Sequence, residues 1–327
     1  MSAARAIERL RWIVLENPAR EPGDSLGWLL RAPSGEVVGC MCCAPQRFRS
    51  DQKIFKLAMS NSFYVEERYR GSGATIFLRY LHLGRSVPLF VSSANATVGE
   101  MWQKLGGYSI GNSDHEMFGV VRWSPLLAES VFRKTSSAGL ARVIGATTSR
   151  LLRARSGLLA ETAKGSSTVL GTPEEAARIC AEFHNEKITN SREAPFFKWR
   201  YFSPVVPSAR LFAFRLGQVE ERTFMVGVQV QNRGYNQQIR TLQVLDIWGE
   251  PDAKAVLAIA GSLLQEYRDE IDAIVFRCLD RPCQEALAAH GFKRRAFAAP
   301  IAWCIDKGGM LPDKPWYLVP ADGDMFL

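Results

Sequence analysis

The sequence predicts an α+β (mixed α/β) protein made of two tandem units, each a mostly antiparallel twisted sheet flanked by helices. Three observations predict this architecture. The 327 residues exceed what one ordinary domain needs and suffice for two cores. Apolar runs with strand periodicity alternate with amphipathic helical runs. The order helix, three strands, helix, strand, helix and two strands in the first half recurs in the second half.

The composition is that of an ordinary globular protein, with 47% hydrophobic and 23% charged residues. No secretory signal is predicted, because the first 20 residues carry scattered charges and no apolar core segment. The most apolar helical run, Ala255 to Leu264, is too short to span a bilayer. The formal net charge of +8 favours an anionic partner without identifying it.

The seven cysteines are odd in number and form no repeated C-x-x-C pair. This pattern indicates reduced thiols and a cytoplasmic location. On a strand, Cys40 and Cys42 would share one side-chain direction and Cys43 would take the other. Zinc needs more ligands at better spacing, so no metal site is expected.

The helix and strand pattern predicts three segments along the chain. Residues 1–125 form the first unit, 126–166 a basic helical linker, and 167–327 the second unit. The linker has no acidic residue between Glu129 and Glu161. Its basic stretch, 133–159, has two interpretations. It is either a peripheral contact with an anionic membrane surface or a packed helix with a solvated basic face.

The segment from Val65 to Leu78 carries the strongest functional signal. A strand-like run precedes a basic turn with two glycines, and an apolar helical run follows it. Backbone N–H groups at such a helix start point towards one anion, and the helix dipole favours negative charge there. Arg68 and Arg70 would add charge-assisted hydrogen bonds to that anion.

Two motifs together resemble the GNAT acyl-CoA N-acyltransferase family. The pyrophosphate loop of that family reads roughly V-x-P-x-Y-R-G-x-G-x-G/A-x-x-L, and it is matched here by Val65, Tyr69, Arg70, Gly71, Gly73 and Leu78. A later element reads N-x-x-A-x-x-x-Y-x-x-L-G-F, and Asn95, Leu105 and Gly106 match it. The resemblance is carried by Val65 to Tyr108 and extends over the rest of the first half.

The resemblance implies acyl-CoA, with acetyl-CoA as the expected form, as co-substrate of the first unit. In this family a splay between strands exposes backbone groups that bind the pantetheine arm. The cofactor-binding residues implied here are Ser62, Phe63, Val65, Arg70, Gly71, Ser72, Gly73, Ala74, Thr75 and Asn95.

The sequence departs from the family pattern at two positions. Thr75 stands where the loop expects Gly or Ala, and a shifted register from Arg68 restores that position but loses two other matches. Trp102 stands where many members carry the tyrosine that protonates the leaving thiolate. An indole N–H cannot serve as that acid, so Trp102 is interpreted as a packing residue.

The sequence does not identify the catalytic base. Tyr64, near the predicted splay, and His115, in a late hairpin with Asp114 and Glu116, are the candidates. The second unit carries Glu250-Pro251-Asp252 at the loop position, where two acids would repel a pyrophosphate. The second unit is therefore expected to have lost CoA binding and to shape the acceptor site.

From these expectations we predict that the protein transfers an acyl group from acyl-CoA to an amine of a small-molecule or sugar acceptor. The segment that starts at Phe197 and the tail from Trp316 to Leu327 resemble acyltransferases encoded in loci for cell-surface polysaccharide synthesis. This resemblance suggests a role in polysaccharide synthesis, by analogy only. The alternative is an acyl-CoA sensor or scaffold with little turnover. Nucleic acid is not an expected partner, because no recognition signature appears. The oligomeric state is not predicted.

Overall fold

The computed structural model describes residues 3–51, 53–140, 143–144, 165–183, 186–206, 208–217, 222–234 and 238–323. The helices are α1 (Ala3–Leu10, continued by a π-helical turn at Arg11–Leu15), α2 (Gly73–Leu83), α3 (Ala96–Lys104), α4 (Trp123–Thr135), α5 (Pro173–Ala181), α6 (Ala194–Tyr201), α7 (Ala253–Tyr267) and α8 (Arg281–Ala289). None of these described helices is long and apolar enough to cross a membrane.

Fourteen strands are formed by the described residues. They are β1 (Gly27–Arg31), β2 (Val37–Ser50), β3 (Lys53–Val65), β4 (Leu89–Val91), β5 (Tyr108–Ser109), β6 (His115–Val120), β7 (Gly165–Val169), β8 (Thr189–Asn190), β9 (Ala209–Leu216), β10 (Arg222–Arg233), β11 (Ile239–Trp248), β12 (Ala273–Arg277), β13 (Lys293–Ala296) and β14 (Trp303–Ile305).

The first of two compact units contains a sheet in the order β1-β2-β3-β4-β14-β5, with β8 added beside β2. Only the β3–β4 pair is parallel, so the sheet is mostly antiparallel as expected. Helices α2 and α3 bury their apolar faces on it, with Ile76, Phe77, Tyr80 and Trp102 in one core. That core fixes α2, whose start carries the loop motif.

The second unit contains a sheet in the order β7-β9-β10-β11-β12-β6-β13. Strands β11 and β12 pair in parallel, and all other pairs of neighbouring strands in this sheet are antiparallel. A large apolar core lies between one face of this sheet and helices α7 and α8. Apart from the extra edge strand β7, strands β9, β10, β11, β12, β6 and β13 occupy the positions of β1, β2, β3, β4, β14 and β5.

The internal repeat predicted from the order of helices and strands is also seen in matching side chains. Trp12 and Trp199, one from each repeat, stack with ring centroids 4.8 Å apart. Each indole N–H donates to the backbone oxygen of the other residue, both at 2.9 Å. The glycines that stop α3 and α8, Gly106 and Gly291, both have left-handed φ angles of 83° and 92°. Left-handed backbone after a helix favours glycine.

The two units are not contiguous in sequence, unlike the ranges 1–125, 126–166 and 167–327 that the pattern predicts. One unit comprises Met1–Asp114, Ala181–Val206 and Phe297–Leu327, and the other comprises His115–Cys180 and Pro207–Ala296. Strand β6 of the first half joins the second sheet, whereas β14 and the short strand β8 of the second half join the first sheet.

The predicted linker is only partly described. Residues 126–135 belong to α4, and Gly165–Val169 form the edge strand β7 instead of ending a linker. Of the basic stretch 133–159, the structure describes 133–140 and 143–144. The membrane contact proposed for the remainder lies outside the described residues.

Candidate functional site

A strand splay lies in the first unit, where β3 and β4 separate. The two strands pair in parallel only at Ala58–Leu89 and Met59–Phe90. Beyond this point β3 continues to Val65 with β2 as its described partner. The last four residues of β3 are exposed or half-buried, so their backbone is open to a ligand.

A β-bulge sets the direction of the exposed end of β3. Cys40 pairs with Tyr64 and Cys42 pairs with Asn61, so Met41 alone faces Ser62 and Phe63 together. Ser62 has a left-handed φ of 52°. A bulge bends a strand and redirects its polar backbone groups, and bulges are frequent beside active sites. The predicted pantetheine-binding segment therefore begins at a bulge.

Tyr80 of α2 occupies the point where the two strands part. Its side chain is fully buried. The hydroxyl donates to Ala58 O at 2.8 Å and lies 3.2 Å from Phe90 O, which belong to different strands. Burial raises the pKa of this phenol well above its usual range, so it remains a donor. Tyr80 is thus a positioning residue that ties α2 to the splay.

The loop motif forms a continuous helical start and not a glycine-broken turn. Residues Glu67–Ser72 form a 3-10 turn that leads directly into α2. Glu66 precedes the turn and Ser72 precedes α2, and neither side chain makes a capping hydrogen bond. A Cβ on Gly71 would meet no atom within 4 Å, so this surface is open. A Cβ on Gly73 would lie 3.2 Å from Val65 Cγ2, so glycine permits close packing of α2 on β3.

The backbone N–H groups expected to bind pyrophosphate are not all available in this conformation. The Gly73 N–H donates to Arg70 O. Arg70 lies 3.6 Å from Glu67, and Arg68 lies 3.2 Å from Glu66. Exposed ion pairs of this kind contribute about 0–1 kcal/mol. The arginines can therefore exchange these carboxylates for a phosphate at little cost.

The structure brings most of the predicted cofactor-binding residues into one region of the first unit. Ser62, Phe63 and Val65 form the exposed end of β3, and 70–75 form the helix start. The Gly73 Cβ position is 3.6 Å from Phe63 Cζ, so these two parts adjoin. Asn95 has a local role as the N-cap of α3, accepting from the Val98 N–H at 2.9 Å.

The two candidates for catalysis lie in different units. Tyr64 is on β3 beside the bulge, and 63% of its surface is exposed. His115 begins β6 in the second unit, 3.3 Å from Arg294. Tyr64 is therefore the candidate that shares a unit with the loop.

Asn61 is a buried polar residue at the candidate site that sequence reasoning missed. It lies directly before the bulge and is 4% exposed, and neither of its side-chain amide atoms has a hydrogen-bond partner among the described residues. Because the bulge inserts one residue, Asn61 and Tyr64 pair with Cys42 and Cys40 and share their face, which is the one away from α2. A buried amide without a partner is costly, so it marks this end of β3 as prepared for a polar group.

The three clustered cysteines take the directions predicted for a strand. Cys43 packs in the α2 core, whereas Cys40 and Cys42 are half-buried. Burial raises the pKa of the Cys42 thiol to about 11, with Cys40 as a smaller cause. Burial also raises the pKa of Cys40. Among the described residues, no three His, Cys, Asp or Glu side chains are grouped as metal ligands.

Trp102 lies in the core of the first unit. It is 1% exposed and its ring centroid is 6.1 Å from that of Tyr80. This environment fits the packing role predicted for it.

The equivalent helix start in the second unit already holds a carboxylate. Asp252 caps α7 by accepting from the Ala255 N–H at 2.8 Å, and Arg222 Nη1 lies 2.6 Å from it. The Ala255 bond and then the Arg222 contact lower the pKa of Asp252. An anionic side chain thus occupies the position that α2 leaves without a side-chain cap.

Solved structures with the same fold exist, although no protein-family profile and no curated protein sequence matches this chain. A conserved Enterococcus faecalis V583 protein of unknown function, described as a probable N-acyltransferase, has 10% identity and a TM-score of 0.51, covering 93% of this chain and 70% of that chain. A GCN5-related N-acetyltransferase from Anabaena variabilis ATCC 29413 has 11% identity and a TM-score of 0.50, with the same coverage of 93% and 70%. This chain therefore has the fold of the GCN5-related N-acetyltransferases, in two tandem units.

Proposed function

We propose that the first unit binds acyl-CoA and transfers its acyl group, with acetyl expected, to an amine of a small-molecule or sugar acceptor. The observation that carries this proposal is the juxtaposition of an uncapped helix start with the exposed, bulged end of β3. The first feature suits a pyrophosphate, and the second offers backbone groups to an extended pantetheine arm. Participation of the acceptor in polysaccharide synthesis is part of the proposal.

Binding of the pyrophosphate requires a local change at the start of α2. The Gly73 N–H must leave Arg70 O to reach a phosphate oxygen. The side chain of Arg70, which is 70% exposed, then pairs with phosphate in place of Glu67. Open space at Gly71 allows the phosphate to approach the backbone.

The chemical step needs positioning more than a strong acid. The acceptor nitrogen attacks the thioester carbonyl, the C–S bond breaks, and the nitrogen loses a proton while CoA leaves as a thiolate. Orienting two bound reactants supplies effective molarities of about 10⁵ M or more. Tyr64 and the amide of Asn61 share the face of β3 where the acceptor would meet the acyl group. We assign them to contact with the reacting groups.

The double variant Arg70→Glu, Gly73→Asp is expected to weaken CoA binding at least about tenfold, because it places two carboxylates at the phosphate position. Calorimetry with CoA measures the effect. Arg79→Glu is the matched control, since it changes the same charge on an exposed position of the same helix. Equal affinity in wild type and the double variant would rule out this loop as the CoA site.

A single CoA per chain is expected. The Asp252 carboxylate at the start of α7 repels a second pyrophosphate, and Pro251 offers no N–H there. Titration of the wild type should reach a stoichiometry of one, and in the loop double variant that one site should be weakened. Two equivalent sites in the wild type, or a site of unchanged affinity in the double variant, would contradict this expectation.

The alternative function is an acyl-CoA sensor with little turnover. The buried Trp102, in place of an acidic phenol, is the observation that favours it. Release of free CoA thiol in the presence of an amine acceptor distinguishes the two functions, because a sensor binds acyl-CoA without releasing thiol at a catalytic rate.

A further inference from the structure

A cleft opens in the first unit where one edge of its sheet is interrupted. Strand β3 runs along one edge of β2, so β1 and β8 both lie along the other edge. There β1 pairs with β2 as far as Cys42 and β8 pairs from Phe48, which leaves residues 43–47 of β2 with no described strand beside them. Pro45 has no N–H to offer at this gap, and its carbonyl accepts from Asn17 Nδ2 at 3.0 Å. The cleft holds about 400 Å³, part of it open to solvent, which is within the usual size range of small-molecule sites.

Buried amides form part of the lining. The side chains that line the cleft, here called the amide cleft, include Gln46, Asn190, Ser191, Glu193, Phe196 and Trp199. Gln46 and Asn190 are 3% and 2% exposed, and Asn190 Nδ2 donates to Gln46 Oε1 at 3.0 Å. Among the described residues, Gln46 Nε2 has as its partner the sulfur of Met59 at 4.0 Å, a weak acceptor. Asn190 Oδ1 accepts no hydrogen bond from the described part of the chain. These two atoms are therefore able to bond a polar ligand, and leaving buried polar atoms unbonded costs stability.

The charges of the amide cleft are balanced. Its carboxylate, Glu193, is exposed and accepts from Ser191 Oγ at 3.1 Å. A cation, Arg47, also lines the cleft and lies 3.1 Å from Glu21. Neither sign dominates, so an uncharged ligand fits better than an anion or a cation. Amide and hydroxyl side chains donate as well as accept, and the same is true of the hydroxyl groups of a ligand.

Aromatic side chains of α6 complete the lining. Phe196 and Trp199 are 6% and 8% exposed, with ring centroids 6.2 Å apart. Trp199 is held in place by its stack on Trp12. A sugar ring carries C–H groups as well as hydroxyls, and C–H groups pack well against aromatic rings, whose faces carry partial negative charge. Aromatic rings beside amides therefore favour a sugar over a purely apolar ligand.

We propose that the amide cleft is a binding site for a neutral sugar ring. Gln46 Nε2 donates to one hydroxyl of the sugar, and Asn190 Oδ1 accepts from another. Ser191 and the exposed Glu193 bond a hydroxyl nearer to solvent. The aromatic rings of α6 pack against the C–H groups of the sugar.

The amide cleft is separate from the proposed CoA site, although both belong to the first unit. Gln46 and Cys42 share one face of β2 and are about 13 Å apart along the strand. Cys42 pairs with Asn61, which lies directly before the bulge of β3. Sugar and CoA should therefore bind without competing. The proposal concerns binding alone and does not depend on the acyl transfer proposed above.

Saturation-transfer NMR on the full chain tests the site, with glucose, galactose, mannose and N-acetylglucosamine as probes. The acyclic polyol sorbitol is the control ligand, because its flexible chain must lose more conformational freedom on binding. We expect at least one ring sugar to receive more saturation than sorbitol. The Arg70→Glu, Gly73→Asp variant should bind that sugar as the wild type does, so a failure of the CoA proposal is distinguished from a failure of this one. No transfer to any ring sugar, or equal transfer to sorbitol, would overturn the proposal.

The double variant Ser191→Ala, Glu193→Ala is expected to weaken sugar binding about tenfold, because two hydrogen-bonding groups are lost. The fold should be retained, since the two side chains bond each other and removing both leaves neither without its partner. Ser86→Ala, Glu100→Ala is the matched control, with the same substitutions at exposed positions of the same unit. Equal sugar affinity in the cleft variant and in this control would contradict the proposed site.

Gln46→Leu, Asn190→Leu gives a second, independent readout. Replacing both members of a bonded amide pair with apolar groups is close to neutral for stability, so the unfolding midpoint without sugar should stay within about 4 °C of the wild type. Sugar binding should be lost. A folded variant that still binds the sugar as tightly as the wild type would show that the amides do not form the site.

Discussion

Asp322→Asn is expected to destabilise the first unit by about 3–5 kcal/mol, because it removes the charge from a fully buried ion pair. Arg192 and Asp322 are 1% and 0% exposed at the side chain, and their closest atoms are 2.6 Å apart. The guanidinium of Arg192 would keep its desolvation cost without the charge of Asp322. The second carboxylate oxygen of Asp322 also accepts from the Val319 N–H at 2.8 Å.

Denaturant unfolding of the full chain measures this effect as a decrease in the free energy of unfolding for the transition assigned to the first unit. Asp51→Asn is the matched control, since Asp51 pairs with Lys314 at 2.7 Å but is 58% exposed. That control should change stability by no more than about 1 kcal/mol. The double variant Arg192→Met, Asp322→Leu should recover much of the loss, because apolar groups need no counter-ion. A loss no greater than that of the control would contradict the proposed burial of this pair.

Local sequence signals predicted the elements of this fold closely. Strand β11 (Ile239–Trp248) coincides with an apolar run of the sequence, and α7 begins after Asp252, a residue type that suits an N-cap. Such signals act over a few residues, since a strand requires its apolar run and a helix requires its cap. They are therefore readable without knowledge of the tertiary partner.

The exchange of strands between repeats could not be predicted in the same way. The run His115–Val120 has the periodicity of a strand in either sheet, and the same holds for Trp303–Ile305. Which sheet a strand joins depends on contacts distant in sequence. Strands that follow one another in sequence usually pair within one sheet. Here β6 and β14 each join the sheet of the other repeat instead.

The candidate site was predictable as far as its motif extends. The loop was identified because its residue types suit phosphate recognition, whereas the exposed end of β3 was identified only through the resemblance to the GNAT family. Asn61 and Tyr80 were missed because their roles depend on strand register and on a hydroxyl that reaches two strands. Gly71 and Gly73 suggested a broken turn, but glycine also tolerates the helical conformation that the structure has.

Trp102→Ala is expected to lower stability by about 3–5 kcal/mol, because it leaves a cavity in a packed core. The indole is 1% exposed and packs with Tyr80, Trp303 and other members of the α2–α3 core. Its neighbour Tyr80 ties α2 to the splay, so the cavity opens beside the element that positions the candidate site.

Trp102→Tyr separates packing from catalysis at the same position. General acid catalysis contributes a factor of roughly 10²–10⁴ in rate where a site is built around it, whereas the side chain at this position is 1% exposed. Turnover of Trp102→Tyr should therefore remain within about tenfold of the wild type, measured by thiol release beside a denaturant melt. If Trp102→Ala were as stable as the wild type but inactive, the residue would act on the reaction itself. We expect Trp102→Ala to lose stability and activity together and Trp102→Tyr to retain most of both. That result would show that Trp102 acts through the packing that holds α2 against the splay.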